Sequence, residues 1–393
     1  MNENEIQDKI KTDIFSGYPV YVRPYKEPKV WGVNGIGEYW YGAGGEGKNS
    51  QAVVNKEVTS LDKIMFICGR EFLGKDVVAK FGYFIPLVKI LTPKGRLSVQ
   101  FHDAKNELWI ITGIDKSLIG EDPKIILGFS PEVVEKYGKD VKKYYAEALK
   151  KYGSALNELI DELESKGYQN MLSETGNVKA TAEQIRTKDE TVAKKFSVLI
   201  SAEQDLNRFY HYKSVAIGDV IPVSSGTLHA LGAGLEVVEP QIAGPTQSLE
   251  DGATYPVRYY FPGHKRPTAQ KKLDLDRINE MKGGVAPEML PEVIQKHGGC
   301  TVERLPGNFA DKGLEVRRLT MDKKHSEKFE NINSFHTIVV VQGSAKVTIK
   351  EKTYDVPKVT PGGEMLIISA VAEKYTIVAG KEGACIIDTF TPV

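Results

Sequence analysis

Between Phe84 and Ile114 the apolar residues come in three short runs, Phe84–Leu91, Leu97–His102 and Leu108–Ile114, with a Pro- and Gly-containing turn at Thr92–Arg96. Short β-rich runs bounded by turn residues read as strands. Along the middle run Leu97, Val99 and Phe101 share one face, and Ser98, Gln100 and His102 share the other. From Val134 to Leu163 the spacing changes, and Tyr145, Leu149, Tyr152, Leu156, Leu159 and Leu163 recur every three or four positions. That is the period of a helix with one buried face. Ser130-Pro131 is a suitable start, and Gly138 and Gly153 are candidate interruptions. Ser173–Thr181 reads as a loop, and Thr187 with Glu190 has capping-box spacing for a second helix.

Strand patterns return at Ser214–Val223 and Gly234–Val238, on either side of the turn-rich stretch PVSSGTLHALGAG. Residues 264–300 are basic, then helical over Leu273–Lys282, then rich in Gly and Pro. Residues 313–393 are short β-branched runs joined by turns, the pattern of a barrel or jelly roll. Residues 1–60 are dense in glycine and read as loop-rich, with Trp31, Tyr39, Trp40 and Tyr41 as flat apolar walls for a sheet edge or a sugar pocket.

Composition narrows the function. The 393 residues carry 52 Lys plus Arg and 52 Asp plus Glu. With no net charge, nothing argues for nucleic acid as a partner, and any anion site must be built locally. Three cysteines, far apart and in no CxxC pair, give no disulfide framework and suit a reducing compartment. The N-terminal segment is charged without an apolar core, and no apolar run reaches the ~18 residues of a membrane helix. A cytoplasmic protein with no membrane partner is the expectation.

Candidate chemistry centres on four residues. Gln100 and His102 point the same way from one strand, Glu107 opens the next, and His229 sits in the glycine-rich bend. Two imidazoles, one carboxylate and one neutral oxygen form an N/O donor set that suits Zn²⁺ or another divalent first-row ion. By contrast, Gly42–Lys48 has the spacing of a phosphate-binding loop but is followed by Asn49 and lacks a preceding buried strand, so it is rejected. His325 and His336 stand apart in sequence from any ligand cluster, and the C-terminal region reads as structural.

These residues lie in recognisable motifs. LSVQFH, KNELW and PVSSGTLHALGAGLEVVEPQ, with Trp31-Gly32 and Gly37-Glu38-Tyr39-Trp40 upstream, resemble the type I mannose-6-phosphate isomerases of the cupin superfamily. The resemblance implies a mainly β fold of two cupin-type jelly-roll barrels with a helical insertion. It divides the chain into a metal-binding catalytic cupin (1–129 and 201–263), a helical insertion (130–200), a connecting segment (264–312) and a metal-free C-terminal cupin (313–393). It implies one zinc per chain on Gln100, His102, Glu107 and His229. Glu239, Lys105 and Arg258 fall at or near catalytic positions, and Trp31, Lys265 and Arg266 are candidates for binding substrate. The sequence departs from the family pattern in a shorter loop after His102 and in an extra segment, Gly244–Gly252, before Arg258.

The implied reaction interconverts mannose 6-phosphate and fructose 6-phosphate through a cis-enediol. Glu239, Lys105 or a water on the metal would move the proton, and Arg258 would steady the enediolate or the phosphate. Two alternatives are an isomerase of the same fold for another aldose and a non-catalytic sugar-binding cupin. A small-molecule sugar phosphate is the expected partner, with the protein a monomer or homodimer.

Overall fold

The computed structural model describes residues 3–42, 48–83, 85–95, 97–102, 105–119, 122–168, 189–242, 254–258, 275–307, 309–331 and 333–393. The fold is mainly β and antiparallel, two cupin-type barrels with a helical insertion, as the motifs imply.

The first barrel closes a six-stranded sheet over a five-stranded one. The six-stranded sheet runs in the order Val220–Val223, Glu107–Ile114, Leu235–Gln241, Leu87–Leu91, Ile36–Tyr41, Tyr25–Val33. The five-stranded sheet runs Tyr210–Ser214, Lys124–Phe129, His229–Ala230, Val99–His102, Thr254–Arg258. Leu91, Trp109 and Val237 from the first sheet meet Ile125, Leu127 and Leu231 from the second in one apolar cluster. The outer faces are apolar too. Val99 and Phe101 pack on the helices Val141–Ser165 and Glu190–Asn207. Val88, Ile90 and Ile110 pack on Val339, Ile367 and Ile387 of the second barrel. The strict alternation of Val99–His102 follows: its odd positions face the helices, which leaves Gln100 and His102 turned into the barrel.

The second barrel belongs to an eleven-stranded sheet, and its interior is Ile338, Val340, Leu366, Ile377 and Ile386 with their neighbours. Three of that sheet's strands, Val20–Arg23, Gln51–Val54 and Glu57–Ser60, come from the N-terminal region, and Val20 pairs with Ile367.

Several local expectations are corrected. The described residues of 1–60, read as loop-rich, form a helix, Glu3–Phe15, and five strands; Gly32 and Gly37 lie within strands, and Gly35 is in the turn between them. The expected connecting segment contains the hairpin Glu292–His297 and Cys300–Arg304, which extends the eleven-stranded sheet, and its helical stretch is a 3₁₀ helix over Leu275–Glu280. Ser130 does cap the first insertion helix, accepting from Val133 N, and Gly138 ends that helix. Gly153 interrupts nothing, because the next helix runs unbroken from Val141 to Ser165. The second long helix is capped by Asp189, which accepts from the Thr191 and Val192 amides. Thr187 and the Ser173–Thr181 stretch lie outside the described residues.

Candidate metal centre

His102 ends its strand with its imidazole inside the first barrel, 2% exposed. His229 reaches the same point from the neighbouring strand, where it is the register partner of Gln100. The bend carrying His229 is tied to the His102 strand, because the Gly226 amide donates to the His102 carbonyl at 2.7 Å. Gly226 has φ +76°, a conformation few side chains tolerate. Glu107 comes from the opposing sheet. Its Oε1 lies 3.0 Å from His102 Nε2, and its Oε2 lies 3.9 Å from His229 Nε2. The ligand atoms of His102, Glu107 and His229 all lie within 4.8 Å of one another, and all three residues are buried.

The donor set fits a divalent ion. His229 Nδ1 is 2.8 Å from the Thr227 carbonyl, so Nδ1 carries the proton and Nε2 keeps its lone pair for the centre. Gln100 Nε2 is 3.4 Å from that same His229 Nε2. Burial, with Lys105 beside it, pushes the His102 imidazolium down to about 3, and burial lowers His229 as well. Both imidazoles are thus neutral and able to bind metal at pH 7. Burial pushes the Glu107 carboxyl up, but Lys105 beside it overcomes this and holds it well below its usual range. Lys105 contacts Glu107 directly. A buried carboxylate among neutral imidazoles needs a cation, and the lysine or a metal can supply it.

A second charged row runs beside this centre. Trp40 pairs with Lys89, and Lys89 pairs with Glu239, across three adjacent strands. Lys89 Nζ lies 3.4 Å from Glu239 Oε1 and 3.4 Å from Glu38 Oε2. The Trp109 indole donates to Glu239 Oε2 at 3.0 Å, and the Trp40 indole donates to Glu38 Oε2 at 2.8 Å. The two acids are held differently. Burial opposes ionisation of Glu38, but Lys89 and Lys29 bring it down to about 2. Burial and the Glu107 charge raise Glu239 to about 7, against Lys89. Burial would strip Lys89 of its proton, yet the three carboxylates around it keep it charged.

The structure therefore brings Gln100, His102, Lys105, Glu107, His229 and Glu239 together. Arg258 lies on the strand beside them, with its backbone paired to Val99. Lys265, Arg266 and most of Gly42–Lys48 lie outside the described residues. Trp31 packs on the barrel core near Leu91 and Trp109; the indole beside Lys89 is Trp40, its ring centre 5.1 Å from Nζ. Sequence reasoning missed Glu38 and Lys89 as site residues. The available signal was a lysine inside the wholly buried strand LVKIL. The sequence sets His325 and His336 apart from any ligand cluster. In fact His325 Nε2 lies 2.9 Å from Glu327 Oε2, and His336 Nδ1 lies 2.9 Å from Asp388 Oδ1. Glu327 is two residues from His325, whereas Asp388 reaches His336 from a strand fifty-two positions away, a pairing invisible along the chain.

Fold and site together define a double cupin with one barrel able to hold a metal. No protein-family model matches the chain, and no curated protein does. Its likeness is to solved mannose 6-phosphate isomerases. The enzyme from Bacillus subtilis matches over 95% of this chain and 99% of its own, at 18% identity and TM-score 0.59. A point variant of the phosphomannose isomerase from Salmonella typhimurium matches over 96% and 100%, at 14% identity and TM-score 0.61. A putative mannosephosphate isomerase from Archaeoglobus fulgidus matches over 96% and 98%, at 14% identity and TM-score 0.54. At these identities the likeness is one of fold. Among the described residues no helix is long and apolar enough to cross a membrane.

Proposed function

We infer that the chain is a metal-dependent aldose–ketose isomerase of sugar phosphates, with mannose 6-phosphate and fructose 6-phosphate as its substrate pair. The observation that carries this reading is a buried trio of metal-type ligands next to a carboxylate, Glu239, poised at about pH 7. The full-length fold likeness to mannose 6-phosphate isomerases supports the choice of sugar.

Gln100, His102, Glu107 and His229 hold one divalent ion, zinc by donor type. When bound, the ion supplies an electrophile for the oxyanion that develops as the proton leaves carbon. Glu239 moves that proton between C2 and C1, since a base with a pKa near the working pH is the most effective. The Trp109 indole fixes one of its oxygens and leaves the other toward Lys89. Lys89 and Lys105 are cations that favour the enediolate over the neutral sugar, and Lys105 is the second candidate for proton transfer. Arg258 takes the enediolate or the phosphate; Lys265 and Arg266 take the phosphate, and Trp31 forms part of the pocket wall. The enzyme works in the cytoplasm as a monomer or homodimer.

A coupled assay on metal-reconstituted protein tests the reading, and turnover of either sugar phosphate is the expected result. Stoichiometric metal with no turnover of either would remove the substrate. A second reading, another aldose on the same site, is favoured by the short loop Asp103–Asn106. A panel of aldoses with and without phosphate separates the two.

A further inference from the structure

One buried acceptor inside the first barrel has no use in the fold or in the chemistry above. Gln241, at the end of the strand Leu235–Gln241, is 4% exposed. Its side-chain oxygen, Oε1, accepts no hydrogen bond among the described residues. Alternation along the strand gives the direction of the side chain. Val238 and Ile242 pack between the barrels, whereas Val237 belongs to the apolar interior of the first. The pairing of Val237–Gln241 with Leu87–Leu91 is unbroken, so Glu239 and Gln241 face inward with Val237. Gln241 is also the register partner of Glu107, and paired residues present their side chains on one face of a sheet. The amide thus lies beside a carboxylate of the candidate metal centre, two residues or about 7 Å along the strand from Glu239. A buried oxygen with no donor lowers stability, and a side chain that only filled space would be better apolar.

We propose that Gln241 is a specificity-determining residue, whose Oε1 accepts a hydrogen bond from a sugar hydroxyl beyond the reacting C1–C2 pair. The proposal rests on the isomerase reading of the same site. Glu239 serves C1 and C2, and the offset along the strand directs Gln241 to a different stretch of the sugar. An amide oxygen accepts and cannot donate, so it recognises an O–H group and gains nothing from a bare CH₂. Because the oxygen is already buried, a hydroxyl that reaches it forms its bond without first stripping water from the protein. The group therefore selects polyhydroxylated substrates that carry a hydroxyl at one position, at the expense of stability in the empty protein.

Calorimetric binding of hexitol 6-phosphates to the metal-loaded full chain tests the proposal. These ligands carry the hydroxyls but no carbonyl, so they bind without turning over. The hydroxyl is removed at C3, C4 or C5 in turn. At one of these positions its loss should weaken binding to the parent about tenfold to a hundredfold. In Gln241→Met, which keeps the volume and loses the acceptor, that penalty should shrink below about threefold, and Gln241→Leu should agree. The other two penalties should be the same in parent and variants. Metal content should stay stoichiometric, and the ligand-free thermal midpoint should equal the parent's or exceed it, because the variants bury no open acceptor. Penalties alike in parent and variants at all three positions overturn the proposal, as does a parent that binds none of these ligands. A fall in metal content or in the ligand-free midpoint also overturns it, since the oxygen would then serve the metal centre or the fold. Turnover of mannose 6-phosphate scores the isomerase reading separately. Turnover without the Gln241 coupling removes only this proposal, and coupling without turnover removes only that reading.

Discussion

The two barrels turn the same kind of strand to different uses. Across the first, the inward positions of adjacent strands read Trp40, Lys89 and Glu239, with Glu107, His102 and His229 alongside. Across the second, the corresponding interior is Ile338, Val340, Leu366 and Ile386. Its innermost acid, Asp388, is closed off: both oxygens lie about 3 Å from His336 Nδ1, and Phe390 stacks on the imidazole with ring centres 4.6 Å apart. Inside the first barrel three buried carboxylates, Glu38, Glu107 and Glu239, converge on two buried lysines, Lys89 and Lys105. The second matches acceptor to donor and covers the pair with an aromatic ring. A converging excess marks a place built for an added cation, whereas a matched pair marks packing.

The comparison can be broken most directly at His229. His229→Ala is expected to abolish stoichiometric metal, measured by elemental analysis, and to cut isomerase turnover by roughly a thousandfold, the loss of several kcal/mol of electrophilic help. Metal content equal to the parent's would mean that the trio is not the metal centre. Lys89→Met comes next. It leaves Glu38 and Glu239 buried without their shared cation, at a cost of about 3–5 kcal/mol in denaturant unfolding. An unchanged midpoint would show that the charged row is solvated. In the second barrel, Asp388→Asn should cost about 1–3 kcal/mol of stability while metal content and turnover stay put. A fall in turnover equal to that of a first-barrel variant would erase the distinction between the barrels.

The smallest effect is a pH signature. The Glu239 carboxyl is raised in the folded protein, to about 7. A raised carboxyl binds its proton more tightly when folded, so its contribution to stability is present below the unfolded value and lost as pH rises through about 7. Glu239→Gln should therefore flatten the decline in thermal midpoint between pH 5 and pH 8. Turnover of the parent, which needs the ionised form, should rise through the same window. A parent midpoint that does not fall over this range would place the Glu239 pKa elsewhere.

The candidate ligands are legible in the sequence because the pattern that singles them out is local. Gln100 and His102 alternate on one strand, Glu107 opens the next, and His229 sits in a bend whose glycines fix its shape. Lys89 and Glu38 gain meaning only through cross-strand register, which places Lys89 between Trp40 and Glu239. The same holds for His336, whose acid lies on a strand fifty-two positions away. The N-terminal strands were hidden for another reason. Glycine there falls inside strands, at Gly32 and Gly37, as well as in the turn at Gly35, and a count of glycines cannot distinguish such strands from loops. The fold class survived these misses because the apolar runs that form the two cores, though short, recur along the chain and are insensitive to the exact ends of each strand.

The eleven-stranded sheet joins Val20–Arg23 and Gln51–Val54 to strands of the C-terminal region through Met365–Ile368. During synthesis, Val20–Arg23 must wait for Met365–Ile368, which is made much later. Its edge stays open over most of translation, and contacts this distant in sequence form slowly. The eleven-stranded sheet therefore cannot be completed until Met365–Ile368 has been made, whereas every strand of the first barrel lies between Tyr25 and Arg258. Short-lived nascent species with exposed strand edges are the natural clients for a chaperone.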